Sequence, residues 1–551
     1  MTSERPNILW ITTHDINPDL GAYRGVWPGA EYADTPHLDR LAAQGVRFDR
    51  AYAVAPVCAP SRSAMITGMF PTAIGTHQMR SKAVPPPGVR CFTEYLRAAG
   101  YHCSHNGMTD HQFFTPFTAF DRFGPQAHWR DRRDPRQPFF AAFHGAITHE
   151  SQLALDDDAF ARATARLTPR QRHDPATAPL PPYYPDTPVF RQAWARYADL
   201  ISAMDHWVGD LLAQLEEDGL ADRTMVVFCS DHGVGLPRAK RLPYESGLRE
   251  PLIVRWPGTL AAGSVRSDPV YLMDLAATLL TVAGIAPPPA MHARPLFDAT
   301  GAPPAVPRTV VFGHRDRMDE QLDRSRTACD GRFRYLQHAH PDRPYLQHHH
   351  YADALPTWRE LRRLSFEEAN QLAVGQPPDR LTPLQRRLLQ AKPAEELYDL
   401  AMDPHETVNL AQDPAHAATL RRLRDALAEW QRDVGDLGLI DEATLVARWR
   451  PAGVVPVTAP PQAERVGGRL LASCATPGAS IGWTDDPPCE RAPSSPFAAI
   501  VGDPPADPRY WRLVDGPFVP PAGAARLWFR AQRLGYLPSD DVAIALDGTS
   551  P

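Results

Sequence analysis

Short apolar segments that end in polar residues alternate with longer stretches of helical periodicity in the first part of the chain. The apolar segments are residues 8–12, 139–143, 226–229 and 252–256, and their length is typical of buried strands. The clearest helix is predicted from about residue 190 to 215, because apolar side chains recur there every three or four positions. The alternation predicts an α/β unit, in which a large sheet is flanked by helices.

Two further units are predicted, because the residue pattern changes twice. Beyond residue 303 the alternation weakens and Pro and Arg become frequent, which predicts a smaller α+β subdomain. Residues 454–461 contain three prolines and are typical of a linker. The tail is rich in Gly and Pro with short aromatic segments, as expected of a small β module. The predicted units are therefore residues 5–302, 303–452 and 462–551.

The charge balance excludes one class of partner. The 551 residues carry a net charge of −6, and no block of Lys and Arg forms a basic patch for phosphate backbones. Nucleic acid is therefore not expected as a partner. The most apolar later stretch, residues 272–285, contains Asp274 and Thr278 and is shorter than the roughly 18 apolar residues that cross a bilayer. A membrane span is not expected either, and the pattern does not indicate an oligomeric state.

Cysteine usage and the amino terminus give an expectation for location. The seven cysteines are widely spaced and lack the paired spacing of a zinc site, so most are expected to be buried thiols in a reducing compartment. Residues 1–6 lead directly into the first apolar segment, without the basic and apolar regions of a secretion signal. We therefore expect a cytoplasmic protein.

Chemically active side chains follow the predicted strands. His14 and Asp15 follow the first strand, His149 lies a few residues after the second, and Asp231 and His232 follow the third. In an open α/β sheet the reactive groups collect where the strands end, because the loops there are fixed by the sheet and face solvent. A site is therefore predicted at this edge, although an Asp in such a position is also a common helix cap or turn residue.

The most specific motif is Cys58-Ala59-Pro60-Ser61-Arg62. By itself it is also compatible with a buried cysteine before a helix that has Pro60 in its first turn. The segment resembles the Cys-x-Pro-x-Arg signature of sulfatases. Further segments resemble sulfatases in the same order, from about residue 6 to at least residue 403: Asn7-Ile8-Leu9, Thr35-Pro36-His37-Leu38-Asp39-Arg40-Leu41, Gly45-Val46-Arg47-Phe48, Ser230-Asp231-His232-Gly233 and Leu397-Tyr398-Asp399-Leu400.

The resemblance implies an alkaline phosphatase-like fold with a large mixed sheet, and a nucleophile made from Cys58 by a formylglycine-generating maturase. Attack on a hindered, negatively charged sulfate ester requires a strong oxygen nucleophile and cations that neutralise the developing charge. In the hydrated aldehyde one oxygen attacks sulfur, and the other expels sulfate when the aldehyde re-forms. A serine would remain trapped as its sulfate ester.

The resemblance also implies a divalent metal, with Asp15 and Asp231 as carboxylate ligands. His232, His14 and the modified Cys58 are the further candidate ligands. Hard oxygen donors favour Ca²⁺, which is our first expectation, or Mg²⁺, whereas a neighbouring imidazole also permits Mn²⁺.

Three more residues correspond to the family's catalytic groups. Arg62 would hold the formylglycine oxygen, His149 would bind sulfate and protonate the leaving oxygen, and Lys240 would neutralise sulfate. The alternatives are a surface salt bridge for Arg62, a structural histidine for His149 and a solvated basic loop for Lys240. Arg238 and Arg241 flank Lys240, so the register of that loop is open.

Several segments resemble the sulfamidase branch, which includes heparan N-sulfatase and many bacterial relatives. They are residues 148–151, 237–241 and 311–317, and the last places His314 and Arg315 where they can line the sugar side of the pocket. The alternative for residues 311–317 is a strand followed by a polar turn. The five histidines between 338 and 350 are interpreted as a solvated or pocket-lining loop, because they lack acids or cysteines at ligand spacing.

The chain departs from the family pattern at four positions. His14 replaces the first of two adjacent acids, and His232 stands where many sulfatases have Asn. Met108 occupies the apparent lysine position of a lysine–histidine motif, and Asp110 takes the next place. Met108 and Asp110 are therefore expected on the substrate side.

Three functions are compatible with this pattern. The first is hydrolysis of a sulfate ester or sulfamate, on a sugar or sulfated oligosaccharide. The second is a phosphonate monoester or phosphodiester hydrolase with the same nucleophile, which His232 permits. The third is a sulfoglycan-binding pseudoenzyme that has lost catalysis through His14 and Met108, but the complete Cys-x-Pro-x-Arg motif argues against it.

Overall fold

The computed structural model describes residues 5–81, 83–489, 498–504 and 507–546. The predicted large mixed sheet is confirmed. Within the described residues it contains nine strands: β1 Asn7–Thr13, β2 Val46–Tyr52, β3 His102–Asn106, β4 Arg122–Phe123, β5 Phe139–Gly145, β6 Thr224–Ser230, β7 Arg249–Arg255, β8 Ser264–Arg266 and β9 Val270–Tyr271. Their order is β4-β3-β5-β1-β6-β7-β2-β8, with β9 also beside β2.

The centre of this sheet is parallel and fully buried. Strand β1 pairs in parallel with β5 on one side and with β6 on the other, whereas β7 runs antiparallel to β6 and β2. Side chains of β1 alternate between two cores: Ile8 and Trp10 join one, and Leu9 and Ile11 join the other. A strand that is buried on both faces reads as a continuous apolar run, which is why the sequence predicts β1 well.

Helices cover both faces of the sheet and continue into the second half of the chain. They are α1 Pro36–Ala43, α2 Cys58–Thr67, α3 Pro71–Ile74, α4 Phe92–Ala98, α5 Asp157–Ala163, α6 Pro188–Glu217, α7 Glu245–Leu248, α8 Asp274–Val282, α9 His350–Asp353, α10 Pro356–Ala373, α11 Pro383–Arg387, α12 Ala417–Val434, α13 Glu442–Trp449 and α14 Ala498–Val501. The long helix α6 begins two residues before the predicted start, because Pro188 occupies its first position and Thr187 caps the amide of Phe190.

A second, antiparallel sheet follows in the middle of the chain. It contains β10 Val311–Arg315, β11 Ser325–Cys329, β12 Phe333–His338 and β13 Glu395–Asp399, in sequence order. Together with α10 and α12 it forms the smaller α+β part. In the same region His338 is buried beside Glu396, at 3.5 Å, whereas His348 is exposed and pairs with Asp353.

The tail forms a hairpin and a small sheet. The hairpin strands are β14 Pro461–Val466 and β15 Arg469–Cys474, and the four-stranded sheet has the order β17-β16-β18-β19. The strands of this sheet are β16 Ser480–Thr484, β17 Arg512–Leu513, β18 Arg526–Gln532 and β19 Val542–Ala545. Trp483 and Trp511 are buried, and Trp483 stacks on Phe518 with 4.7 Å between the ring centroids. Trp483 and Phe518 therefore belong to the core of the module, whereas Trp511 packs edge-on against Phe117, with 4.9 Å between the ring centroids.

Two expectations from composition concern the whole chain. Among the residues that the structure describes, no helix combines the length and apolar character needed to cross a bilayer. All seven cysteines lie within the described ranges and carry free thiols, of which five are buried, Cys474 is half-buried and Cys489 is exposed.

Candidate active site

The candidate site lies where the three central parallel strands end. Because β5, β1 and β6 are neighbours, the residues that follow them meet at one edge of the sheet. His14 and Asp15 follow β1, the segment up to Glu150 follows β5, and Asp231 and His232 follow β6. The predicted cluster at the strand ends is thus brought together.

Cys58 is the first residue of helix α2 and faces this cluster. Its Sγ lies 3.1 Å from Nε2 of His232, and the residue is 2% exposed. Burial raises the pKa of the thiol. The charges of Lys240 and His232 and hydrogen bonds from His14 and His149 outweigh this effect and hold the pKa well below its usual range. The position therefore stabilises a negative charge, as a nucleophilic oxygen requires.

Two carboxylates and two imidazoles surround the nucleophile position. Nε2 of His232 lies 3.2 Å from Oδ1 of Asp15, and Nδ1 of His14 lies 3.2 Å from Oδ2 of Asp231. Although burial lowers the pKa of both histidines, Asp231 raises each to about 9. Asp15 has a φ of 51°, in the left-handed region, and this strained backbone turns its carboxylate towards the cluster.

These residues fit a divalent metal ion. Asp15, Cys58 and His232 offer ligand atoms within 4.8 Å of one another, and so do His14, His144 and Asp231. Nδ1 of His14 and Oδ2 of Asp231 are buried and lie 3.2 Å apart, but within the described residues neither atom has a hydrogen-bond partner of good geometry. Poorly satisfied buried polar atoms are costly, so a divalent cation held by Asp231 and a neutral His14 would compensate both.

Lys240 lies inside the site, which resolves the register of its loop. Its Nζ is 2.9 Å from Oδ2 of Asp15 and 2.8 Å from Oε1 of Glu150. Arg241 forms two hydrogen bonds with Glu150, both of 2.9 Å, and thereby fixes that carboxylate. Arg238 is not part of the site: it donates to the carbonyl of Glu406 and its guanidinium packs over tyrosine rings.

Arg62 is buried in a network behind the nucleophile. Its Nη1 lies 2.6 Å from Nε2 of His144 and 3.6 Å from Oδ2 of Asp231. Burial and the charge of Arg62 hold the pKa of His144 well below its usual value, so this ring is neutral. Sequence reasoning missed His144, although its position at the end of β5, next to β1, was a usable signal.

His149 is half-buried at the mouth of the cluster. It caps the short 3₁₀ helix Glu150–Ala154 through Nδ1, which accepts from the amide of Ser151 at 3.3 Å. Its ring centroid is 5.1 Å from that of His14, and one of its nitrogens lies within 4.8 Å of Sγ of Cys58. With Nδ1 used in the cap, Nε2 is the atom available to exchange a proton with substrate.

The loop that contains Met108 and Asp110 contacts the site through its backbone and through an ion pair. The carbonyl of Met108 accepts from Nη2 of Arg62 at 3.2 Å, so the backbone of this residue supports the site. Asp110 forms an ion pair with Arg80 at 3.0 Å. Arg80, which sequence reasoning missed, therefore places a cation on the side where the family has a lysine.

His314 and Arg315 lie on strand β10, and their side chains have polar partners in the second half of the chain. Nδ1 of His314 lies 3.1 Å from Asp316, and both residues are buried. Arg315 pairs with Asp323 at 2.7 Å and donates to Gln347 at 2.9 Å, so its guanidinium is held inside the second sheet. These partners give Arg315 a structural role, and its position on the sugar side of the pocket stays a prediction.

Comparisons with known proteins agree with this geometry. Residues 6–285, slightly more than half of the chain, match the family described as Sulfatase. An ulvan-active sulfatase of Formosa agariphila is 35% identical over 582 aligned residues, which cover 98% of this chain and 91% of the relative. The human N-sulphoglucosamine sulphohydrolase is 28% identical over 489 residues, which cover 78% of this chain and 90% of the relative.

The phosphonate monoester hydrolase of Agrobacterium radiobacter shares the fold, with a TM-score of 0.55 at 17% identity over 78% of this chain and 96% of that one. The chain belongs to the sulfatase family and is a sulfuric ester hydrolase.

Proposed function

We propose that the protein hydrolyses a sulfate ester or sulfamate on a sugar, with formylglycine made from Cys58 as nucleophile. The observation that carries the proposal is the position of Cys58, buried at the start of α2 and 3.1 Å from His232. The relatives named above act on ulvan or carry the name of a sulfamate-hydrolysing enzyme. Either a sulfated polysaccharide fragment or an N-sulfated sugar is therefore the proposed substrate class.

The residues of the chain divide the chemical work between them. A divalent metal, when bound by Asp15, Asp231, His232 and His14, supplies a Lewis acid that neutralises charge on the nucleophile and the sulfate oxygens. Lys240 adds a permanent cation on the side of Asp15, and Arg62 adds one on the side of Asp231. His149 donates a proton to the leaving oxygen or nitrogen as the bond to sulfur breaks.

The donor set bears on which metal is bound. Calcium was our first expectation from the family, since Ca²⁺ prefers six to eight oxygen ligands. Here two of the four side chains at the family's ligand positions are imidazoles, which also permit Mn²⁺. We therefore propose Ca²⁺ for this chain, with Mn²⁺ and Mg²⁺ as the alternatives.

The same proposal covers the organisation of the chain. Residues 5–302 would form the catalytic unit and residues 303–452 the α+β subdomain. Residues 462–551, of which 490–497, 505–506 and 547–551 lie outside the described residues, would form the accessory β module. The buried Cys58 also implies a separate maturase as a partner, since the chain must be modified before the site can work.

Mass spectrometry combined with a substrate screen tests the function. The protein is expressed with and without a formylglycine-generating maturase, and the mass of the peptide that contains Cys58 reports conversion. We expect turnover of O- or N-sulfated sugars in proportion to the converted fraction, and none for Cys58→Ala. Full activity of the unconverted thiol protein would contradict the mechanism.

A second activity, phosphonate monoester or phosphodiester hydrolysis, is supported by His232 at the metal position. An imidazole there adds a donor that binds transition metals, and the same nucleophile can attack phosphorus. Rates on matched aryl sulfate and aryl phosphodiester substrates separate the two activities. A higher kcat/KM for the diester would reverse our order of preference.

A further inference from the structure

A contact between the tail and the active-site loop has no counterpart in the proposed mechanism. Oδ1 of Asp503, next to helix α14, accepts hydrogen bonds from the amide and from the hydroxyl of Thr109, at 2.7 and 2.6 Å. Asp503 is 7% exposed and Thr109 is fully buried. Hydrogen bonds to a carboxylate in such a setting are short and strong.

Thr109 in turn holds Arg62. The carbonyl oxygen of Thr109 accepts from Nε of Arg62 at 2.8 Å, and the carbonyl of Met108 accepts from Nη2 at 3.2 Å. Nη1 of the same guanidinium then faces His144 and Asp231. Two backbone carbonyls of one loop thus set the plane of the guanidinium, and Asp503 fixes Thr109, which supplies one of them.

The loop needs an external support, because its own backbone is strained. Gly107 has a φ of 105°, and Asp110 and Gln112 have φ values of 46° and 71°, which non-glycine residues rarely adopt. Such conformations persist only when the surroundings hold them.

The tail surrounds the segment that follows this loop. The amide of Thr115 donates to the carbonyl of Gly502 at 2.9 Å, the amide of Gly535 donates to the carbonyl of Phe114 at 3.1 Å, and the amide of Phe117 donates to Oε1 of Gln532 at 3.0 Å. A side chain at Gly502 would meet the carbonyl oxygen of Phe113 at 2.2 Å, so the two segments are in direct contact.

We propose that Asp503 is a positioning residue for catalysis, which acts through Thr109 on Arg62, so that the tail module completes the active site. The inference rests on the proposed function, since it assigns a role in that reaction. It predicts that loss of the Asp503 carboxylate reduces kcat much more than it raises KM, because the orientation of Arg62 matters most when charge develops on the transferred group.

Three variants of the full-length, maturase-converted protein test this role. Asp503→Ala removes the acceptor of both hydrogen bonds and is expected to reduce kcat about 10- to 100-fold. Asp503→Asn keeps an oxygen acceptor and is expected to stay within threefold of the wild type. Thr109→Val removes the hydroxyl donor at nearly constant shape, and a loss of about threefold or more in kcat is expected. If Asp503→Ala does not fold, this variant tests the positioning role.

The matched control is Arg533→Ala. Arg533 also ties the tail to the catalytic unit, through a 3.0 Å hydrogen bond to the carbonyl of Pro85, but has no contact with the loop at Thr109 among the described residues. Its kcat is expected to be unchanged. Amide hydrogen exchange at Thr109 should accelerate in Asp503→Ala and not in the control.

The outcomes separate this inference from the proposed function. A wild type without sulfatase activity would contradict the proposed function itself. An active wild type whose kcat is unchanged in both Asp503→Ala and Thr109→Val, or an equal loss in Arg533→Ala, would overturn the positioning role alone.

Discussion

Nζ of Lys240 is shared between Asp15 and Glu150, at 2.9 and 2.8 Å, in an environment where all three side chains are buried. Lys240→Met would leave two carboxylates with less compensation, so we expect a loss of stability of about 3–5 kcal/mol. Urea unfolding measures it. Addition of Glu150→Gln should recover part of the loss, whereas a double variant less stable than either single variant would show that the pair is not coupled in this way.

The two aspartates should control metal content. Asp15→Asn and Asp231→Asn each remove a formal charge that faces the cation, so we expect weaker metal binding and turnover reduced by orders of magnitude. His14→Ala should reduce metal content less if the two aspartates carry most of the affinity. Elemental analysis of the purified proteins is the measurement, and unchanged metal in both Asp variants would remove the proposed site.

Arg80 should compensate for the methionine at position 108. Burial lowers the pKa of Arg80, but Asp110 and, more weakly, Cys58 raise it, so this cation belongs to the electrostatic surroundings of the nucleophile. Arg80→Ala is expected to weaken substrate binding by about 1–3 kcal/mol, seen as a higher KM, and Arg80→Lys should retain most of the binding. Met108→Lys in the Arg80→Ala background should recover binding of small aryl sulfates. If KM does not respond to any of these changes, neither residue is on the sulfate side.

Asp205 should make folding stability depend on pH. It lies on α6 and accepts from the amides of His37 and Leu38 at the start of α1, at 3.0 and 2.8 Å. Burial raises its pKa to about 7, although these hydrogen bonds lower it. The pKa of Asp205 in the folded state exceeds the unfolded value of 3.8. The protonated carboxyl therefore contributes to the free energy of unfolding in full below pH 3.8, and this contribution is lost as pH rises through about 7.

The variant Asp205→Asn isolates this contribution. Between pH 5 and pH 8 the free energy of unfolding should fall by on the order of 2–4 kcal/mol more in the wild type than in the variant. Urea unfolding at both pH values gives the difference. Parallel pH dependence in the two proteins would mean that the carboxyl is ionised throughout.

Sequence patterns predicted the parts of the site that lie next to regular strands or in a short motif. Asp15, Asp231 and His232 were found because each follows a continuously buried strand, and Cys58 because its motif is specific. Arg80 and Asp503 were not found, because their roles depend on loops with unusual backbone angles and on contacts between distant parts of the chain. No local periodicity carries that information.

For the same reason, sequence patterns specify the substrate side of the site least. The pattern of residues 311–317, a strand followed by polar residues, is compatible with two roles for Arg315: part of a pocket wall, or one side of a buried ion pair. Only the facing residues Asp323 and Gln347, supplied by later segments, distinguish the two.

The burial of Cys58 imposes an order of events on its proposed conversion. The thiol is 2% exposed, and the side chains around it come from segments as far along the chain as Met318. The proposed modifying enzyme would therefore have to reach the cysteine before these segments have been made and folded. Ribosomes add about 5–20 residues per second, so the roughly 260 residues from Cys58 to Met318 leave about 10 to 50 seconds for this step. Variants that fold faster would shorten this interval and yield more unconverted protein.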